Sequence, residues 1–397
     1  MDVVIIFKSI KQLRLIMYFS FLKKHIIMKN KVLILFLFSI LNAFQAQSQK
    51  LNLLIGTYTN SCESKGIYVY NFDTSTADFS FKNVAENSIN PSYLTVSKDN
   101  NYVYSVNENG PESTVSSYSY IPSSGKLDLI NRLSSKGDDP CYIINDDKNV
   151  IVANYSGGNI SVFQKNSDGS LAEAKQVIQH YGKGADAQRQ QGPHVHMVHF
   201  SPDQKFVLSN DLGLDKVYSY AYDPNSNGAV LKVCDSVAVK EGSGPRHLTF
   251  SKDGKFVYLV QEMDASLTTF KYSNGKLKKV AENTILAKGF KGTFGSADIH
   301  ISPDGKFLYA SNRGDANDIS IFEIGKNGKL KLKGQTSTLG KGPRNFVIDP
   351  TGNYLLVGHQ YTNNVVIFKR NQLTGALTDT GKRIELCSPV CLVFTEN

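Results

Sequence analysis

Seven times along the chain a short apolar run returns at a nearly constant spacing, and that spacing restricts the fold more than any other feature. The runs start at Pro91, Pro140, Pro193, Pro245, Ala297, Pro343 and Pro389, 46 to 53 residues apart. A period near fifty residues marks a blade of a β-propeller; most helical repeats are shorter. Within each unit the apolar run leads to a polar turn, such as Asp253-Gly254 or Asp304-Gly305. A second alternating run follows, KFVYLV or KFLYAS, then a third, LTTFKY or ISIFEI. A glycine-centred turn (Gly125, Gly169, Gly228, Gly275, Gly328, Gly375) introduces the fourth. Runs of four to seven residues rich in Val, Ile, Tyr and Phe, joined by such turns, are antiparallel strands.

Four strands make one blade. The two ends of the chain complete the count. LNLLIGTYT (51–59) and KGIYVYNF (65–72) read as the second and third strands of a blade that lacks its first, and PVCLVF (389–394) reads as a first strand that lacks the rest. Joined, they form a seventh blade, which closes the ring and removes an exposed edge. The fold class expected is therefore all-β, one seven-bladed propeller over residues 49–397, closed by strands from both termini.

The segment before it reads differently. Residues 1–50 hold eight basic side chains and one acid, out of 44 Lys+Arg and 35 Asp+Glu in the whole chain. The body is left close to neutral, so no nucleic-acid partner is expected. Lys29 and Lys31 precede ten apolar-dominated residues, Val32 to Leu41, and then small and polar ones. This is the pattern of a secretory signal peptide over 28–48, with cleavage after Ala46 or Ser48 and translation starting at Met28. The competing reading of residues 1–48 is one extended membrane anchor. With the leader removed, no stable membrane span is expected and the protein is periplasmic or secreted; if the leader is not used, it is cytoplasmic. The five cysteines (62, 141, 234, 387, 391) are scattered and form no CxxC. They read as buried thiols, with Cys387 and Cys391 as the one pair close enough in sequence to join.

In a propeller the beginnings of first strands and the ends of second strands converge on one mouth. Three consecutive blades are unusual there. Blade three carries His194, His196 and His199, blade four Arg246 and His247, and blade five Asp298 and His300. Glu262 and Arg313 end the second strands of blades four and five, and Arg344 repeats in blade six the place of Arg246. Two histidines on one strand face without a nearby third ligand make a weak metal site, so neither metal nor cofactor is expected. Arg suits a bidentate grip on a carboxylate or phosphate. The competing readings are structural: histidines bonded to carbonyls, arginines paired with acids of the next blade. The irregular segment Gln179–Gln191 enters blade three just before the histidines and reads as a flap over the mouth or a plain surface insertion.

The strings NPSYL, VANYSGGN, GPHVH, DLGLDKV, GPRHLTFSKDGK, SPDGKFLYASNRG and GPRNFVIDPTG resemble the lactonase family of seven-bladed propellers, in order through every blade. That family includes propeller-type 6-phosphogluconolactonases and is related to carboxymuconate-cyclising enzymes. The resemblance implies metal-independent hydrolysis of 6-phospho-D-glucono-1,5-lactone to 6-phosphogluconate, with an anionic sugar lactone as partner. The cyclising relatives use a His, two Arg and a Glu, which match His196, Arg246, Arg313 and Glu262 here; His194 competes with His196 for the first place. His194, His247, His300 and Arg344 are expected to bind substrate. A secretory leader fits poorly with a phosphorylated substrate, so an exported hydrolase of an unphosphorylated sugar lactone, a muconate-type lactonising cyclase and a non-catalytic binding propeller stand as alternatives.

Overall fold

The computed structural model describes residues 50–397 and, before them, Met17 alone; the expected leader and start at Met28 otherwise lie outside the described residues. Residues 50–397 form seven four-stranded antiparallel sheets. The first strands of blades one to seven are Tyr93–Val96, Pro140–Asn145, Val195–Phe200, Pro245–Phe250, Phe294–Ile301, Pro343–Ile348 and Pro389–Glu396. Each packs against the next, and the last packs against the first, so the strands close a ring around a central channel.

Burial explains why these segments are strands. Second strands such as Phe256–Gln261 and Asn149–Asn154 are buried along nearly their whole length, because each blade is covered on both faces by its neighbours. Fourth strands such as Leu231–Ala238 alternate towards solvent, since they form the outer edge. The Asp of each tight hairpin is a turn residue: Asp253 accepts from Ser251 Oγ at 2.7 Å, and Asp203 and Asp304 accept equally from Ser201 and Ser302. Gly169 shows why the later turn needs glycine. Its φ is +81°, and a Cβ there would stand 2.1 Å from the Tyr102 ring of the preceding blade. Gly228 breaks the pattern, with no positive φ and open space around it.

The seventh blade is stitched from both ends of this region. Pro389–Glu396 pairs with Lys50–Thr57, in register Leu53↔Phe394 and Ile55↔Leu392, and Gly66–Asp73 and Phe79–Glu86 complete the sheet. Both of its seams are packed with apolar side chains. Leu53, Ile55 and Phe72 pack on Leu356, Val365 and Ile367 of blade six, and Leu54 and Val69 pack on Val103 and Tyr118 of blade one. Each such side chain contributes about 1.5–3 kcal/mol relative to exposure.

The cysteine expectation needs correction. Cys62 and Cys387 form a disulfide with Cα atoms 6.0 Å apart, joining the loop after Lys50–Thr57 to the linker before Pro389–Glu396. Cys387 and Cys391 do not pair: Cys391 lies inside the strand, buried, and its Sγ accepts the Leu94 N–H at 3.3 Å. Cys141 is a buried thiol and Cys234 an exposed one.

Candidate active site

One backbone irregularity, repeated from blade to blade, aims the site. In five blades the first strand pairs normally at its first residue and then skips one: Val195 pairs with Asp211, Pro245 with Gln261, Pro343 with His359, Pro140 with Asn154 and Pro389 with Thr57. The skipped residues are His196, Arg246, Arg344, Cys141 and Val390. A bulge leaves its residue free of the ladder and redirects the side chain. The register therefore puts His196, rather than His194, in the place that Arg246 and Arg344 occupy.

The second element is the residue that follows each second strand's terminal polar residue. Around the ring these are Tyr58, Glu108, Tyr155, Leu212, Glu262, Arg313 and Gln360. Five of them, with Asp139, Cys141, Ser156, Arg189, His196 and Arg344, line a cavity of about 350 Å³.

Glu262 is the electrostatic centre of one side. Its Oε2 accepts from Arg246 Nε and Arg313 Nη2, each at 3.0 Å, and its Oε1 from Arg189 Nη2 at 2.6 Å. Burial pushes this carboxyl up, but the Arg313 and Arg246 guanidiniums and the Arg189 hydrogen bond outweigh it and hold it well below the carboxylate range. Glu262 is therefore ionised at any working pH, and its oxygens are committed to holding three arginines. Arg246 is 1% exposed and lies beneath the cavity; its Nη1 donates to the Ala297 carbonyl. Burial and the charges of Arg313 and Arg344 lower it to about 10.

Arg189 comes from the Gln179–Gln191 segment, so that segment contributes a side chain to the cavity lining. The segment is pinned at both ends. His180 is buried between Asp211 and Tyr220 OH, 2.6 Å from each, and Gln190 donates to the Leu212 carbonyl at 2.8 Å.

His196 is 4% exposed, with its ring edge-on to Tyr155 and His247 and Nδ1 3.7 Å from Cys141 Sγ. Burial, then the charges of Arg246, His247 and Arg344, hold it well below the usual imidazole range, so it is neutral near pH 7. His194 stacks on Tyr155, bonds the Tyr155 carbonyl through Nδ1 and does not line the cavity. His247 is buried below, with Nδ1 2.9 Å from Asp298. Burial and the Arg246 charge lower it to about 4. His300 bonds the other Asp298 oxygen at 3.0 Å, and Asn345 donates to that oxygen at 2.6 Å. His247, Asp298 and His300 thus form a hydrogen-bonded cluster of the first strands, outside the cavity lining. No group of three or more His, Cys, Asp or Glu among the described residues is arranged to hold a metal ion.

Arg344 lines the opposite part of the cavity, with its guanidinium 5.5 Å from the Tyr58 ring centre. Tyr58 OH donates to both Glu108 oxygens, at 3.1 and 3.0 Å. Burial pushes both groups up.

A family profile described as "Lactonase, 7-bladed beta-propeller" matches residues 52–394. The chain belongs to this lactonase family. The chain is 37% identical over 333 residues to a Formosa agariphila protein named 6-phosphogluconolactonase, covering 82% of this chain and 94% of that one. A Bacillus subtilis protein of the same name is 33% identical over 345 residues, covering 86% of this chain and 97% of that one. Among solved structures, the periplasmic gluconolactonase of Pseudomonas aeruginosa superposes with a TM-score of 0.82 at 35% identity, covering 87% of this chain and 99% of that one.

Of the eight residues expected in this lactonase's site, His196, Glu262, Arg313 and Arg344 line the cavity, Arg246 supports it from below, and His194, His247 and His300 stand outside its lining. Sequence reasoning passed over Tyr58, Glu108, Tyr155, Cys141, Asp139 and Arg189. Tyr58, Glu108 and Tyr155 were detectable: GTY, VNE and ANY end second strands as VQE and SNR do.

Proposed function

We propose that this lactonase hydrolyses the ring ester of a sugar 1,5-lactone at the mouth cavity, without a cofactor. The observation that carries the reading is a neutral histidine beside fixed guanidiniums in one half-enclosed polar cavity. Arg313 and Arg344 polarise the lactone carbonyl and stabilise the oxygen as negative charge builds on it. His196 accepts a proton from the attacking water, a role open to it because burial keeps it unprotonated. Glu262 holds Arg189, Arg246 and Arg313 in place; its committed oxygens make it a poor acid or base.

Glucono-1,5-lactone in its 6-phosphorylated form is the substrate that the two curated relatives' names suggest. Two observations favour the unphosphorylated lactone. Arg189 and Arg313 are already engaged by Glu262, and Arg344 alone of the lining arginines makes no ion pair among the described residues. The Cys62–Cys387 disulfide also suits an oxidising compartment. That agrees with the leader over 28–48 and a periplasmic or secreted location, and the expected chain division is leader 1–48 and lactonase domain 49–397.

The test is kcat/KM for both lactones, with spontaneous opening subtracted. At least tenfold preference for gluconolactone is expected. Preference for the phosphorylated form would return the reading to 6-phosphogluconolactone, and no turnover of either would remove lactone hydrolysis.

A further inference from the structure

Opening a lactone needs two proton transfers, one from the attacking water and one to the departing ring oxygen. His196 serves the first, and Glu262 cannot serve the second because three guanidiniums hold it ionised. We propose that Glu108 is the catalytic acid that protonates the ring oxygen and that Tyr58 positions it; this rests on the lactone-hydrolase reading above.

Three observations carry the assignment. Glu108 and Glu262 hold the same place on blades one and four, so the ring sets them across the cavity from each other. The two carboxyls have opposite surroundings. Glu262 is gripped by three cations, whereas Glu108 makes no ion pair among the described residues and accepts from the neutral Tyr58 hydroxyl. Tyr58 is itself held in place, since its N–H donates to the Ser388 carbonyl at 3.1 Å and its loop is tied down by the Cys62–Cys387 bond.

The electrostatics agree. Burial raises Glu108 and outweighs the opposing Arg344 charge and the Ser92 and Tyr58 hydrogen bonds, and Asp139 adds to the rise. The charged and titratable groups facing it are Arg344 from blade six, Tyr58 from blade seven, and Asp139 and Cys141 from blade two. A histidine pushed down and a carboxyl pushed up across one cavity are a base and an acid.

The step balances. Water adds through oxygen to the lactone carbonyl carbon while His196 takes its proton. The tetrahedral intermediate collapses, the bond from that carbon to the ring oxygen breaks, and the ring oxygen takes the Glu108 proton to become a hydroxyl. The product acid ionises, His196 returns its proton to solvent and Glu108 is reprotonated from it.

The experiment is a pH profile of kcat and KM between pH 5 and 8 for wild type, Glu108→Gln and Tyr58→Phe, with folding checked by circular dichroism. Wild-type kcat falls as pH rises through the Glu108 pKa. Glu108→Gln lowers kcat about 100-fold, leaves KM within a few-fold and removes that fall. Tyr58→Phe deletes a hydrogen bond that favours the carboxylate, so the fall moves to higher pH. A Glu108→Gln kcat within threefold of wild type overturns the proposal, as does a reduced kcat with an unchanged basic limb. Where Glu108→Gln fails to fold, an unmoved limb in Tyr58→Phe overturns it. A wild type inactive on every lactone instead sinks the underlying function.

Discussion

Glu262→Gln is expected to lose about 3–5 kcal/mol of stability and about 100-fold or more in turnover. The carboxylate is the shared anion of Arg189, Arg246 and Arg313. An amide of the same shape has one oxygen and one NH₂ group, so at least one guanidinium faces a donor and the cluster loses its only negative charge. Arg246 is almost fully buried, so bulk solvent cannot offset its charge. Urea unfolding of wild type and variant measures the first effect, and lactone turnover the second. Adding Arg246→Met removes one uncompensated cation, so the double variant regains part of the stability and none of the activity. The pH dependence has a definite sign. The folded Glu262 pKa lies below the unfolded value of about 4.3, so its contribution is full above that value and fades as pH falls. Glu262→Gln therefore costs most at neutral pH and least in acid. A variant as stable and active as wild type would refute the electrostatic account of the site.

Cys62→Ser is expected to cost roughly 2–5 kcal/mol, towards the upper end because the disulfide spans 325 residues. It also closes the ring where the two ends of the propeller meet: Cys62 follows the second strand of blade seven and Cys387 precedes its first. Without it, that blade is held by the Lys50–Thr57 and Pro389–Glu396 pairing and its two apolar seams. The loop that carries Tyr58 loses a covalent tie as well, so activity falls with stability. Thermal unfolding with and without reductant gives the same shift as the substitution. Thiol titration of unreduced, denatured protein finds three free cysteines, and five after reduction. Five without reductant would show that the bond does not form.

The blade count, the strand order and the stitched seventh blade were legible because every blade repeats one pattern of burial. The site was legible only where its residues were chemically conspicuous. His196, Glu262, Arg313 and Arg344 stood out as His, Glu and Arg clustered on adjacent blades. Glu108 and Tyr58 did not, because they come from blades one and seven, outside the run of blades three to six that carries the conspicuous His, Glu and Arg residues. The unpaired residue near the start of most first strands could not be read at all: alternation alone places His194 and His196 on one face, and only the bulge after Val195 separates them. His247 and His300 misled for a related reason. Their strands carry them to a shared carboxylate, Asp298, which satisfies both away from the cavity lining. The disulfide escaped because its partners are neighbours only once the ring has closed.

The most direct test of the account compares gluconolactone opening by wild type and by His196→Asn under identical conditions, followed as proton release above the spontaneous rate. The account predicts clear turnover by wild type and a loss of about 100-fold or more in the folded variant. Wild-type opening no faster than buffer, or a variant as fast as wild type, would contradict it.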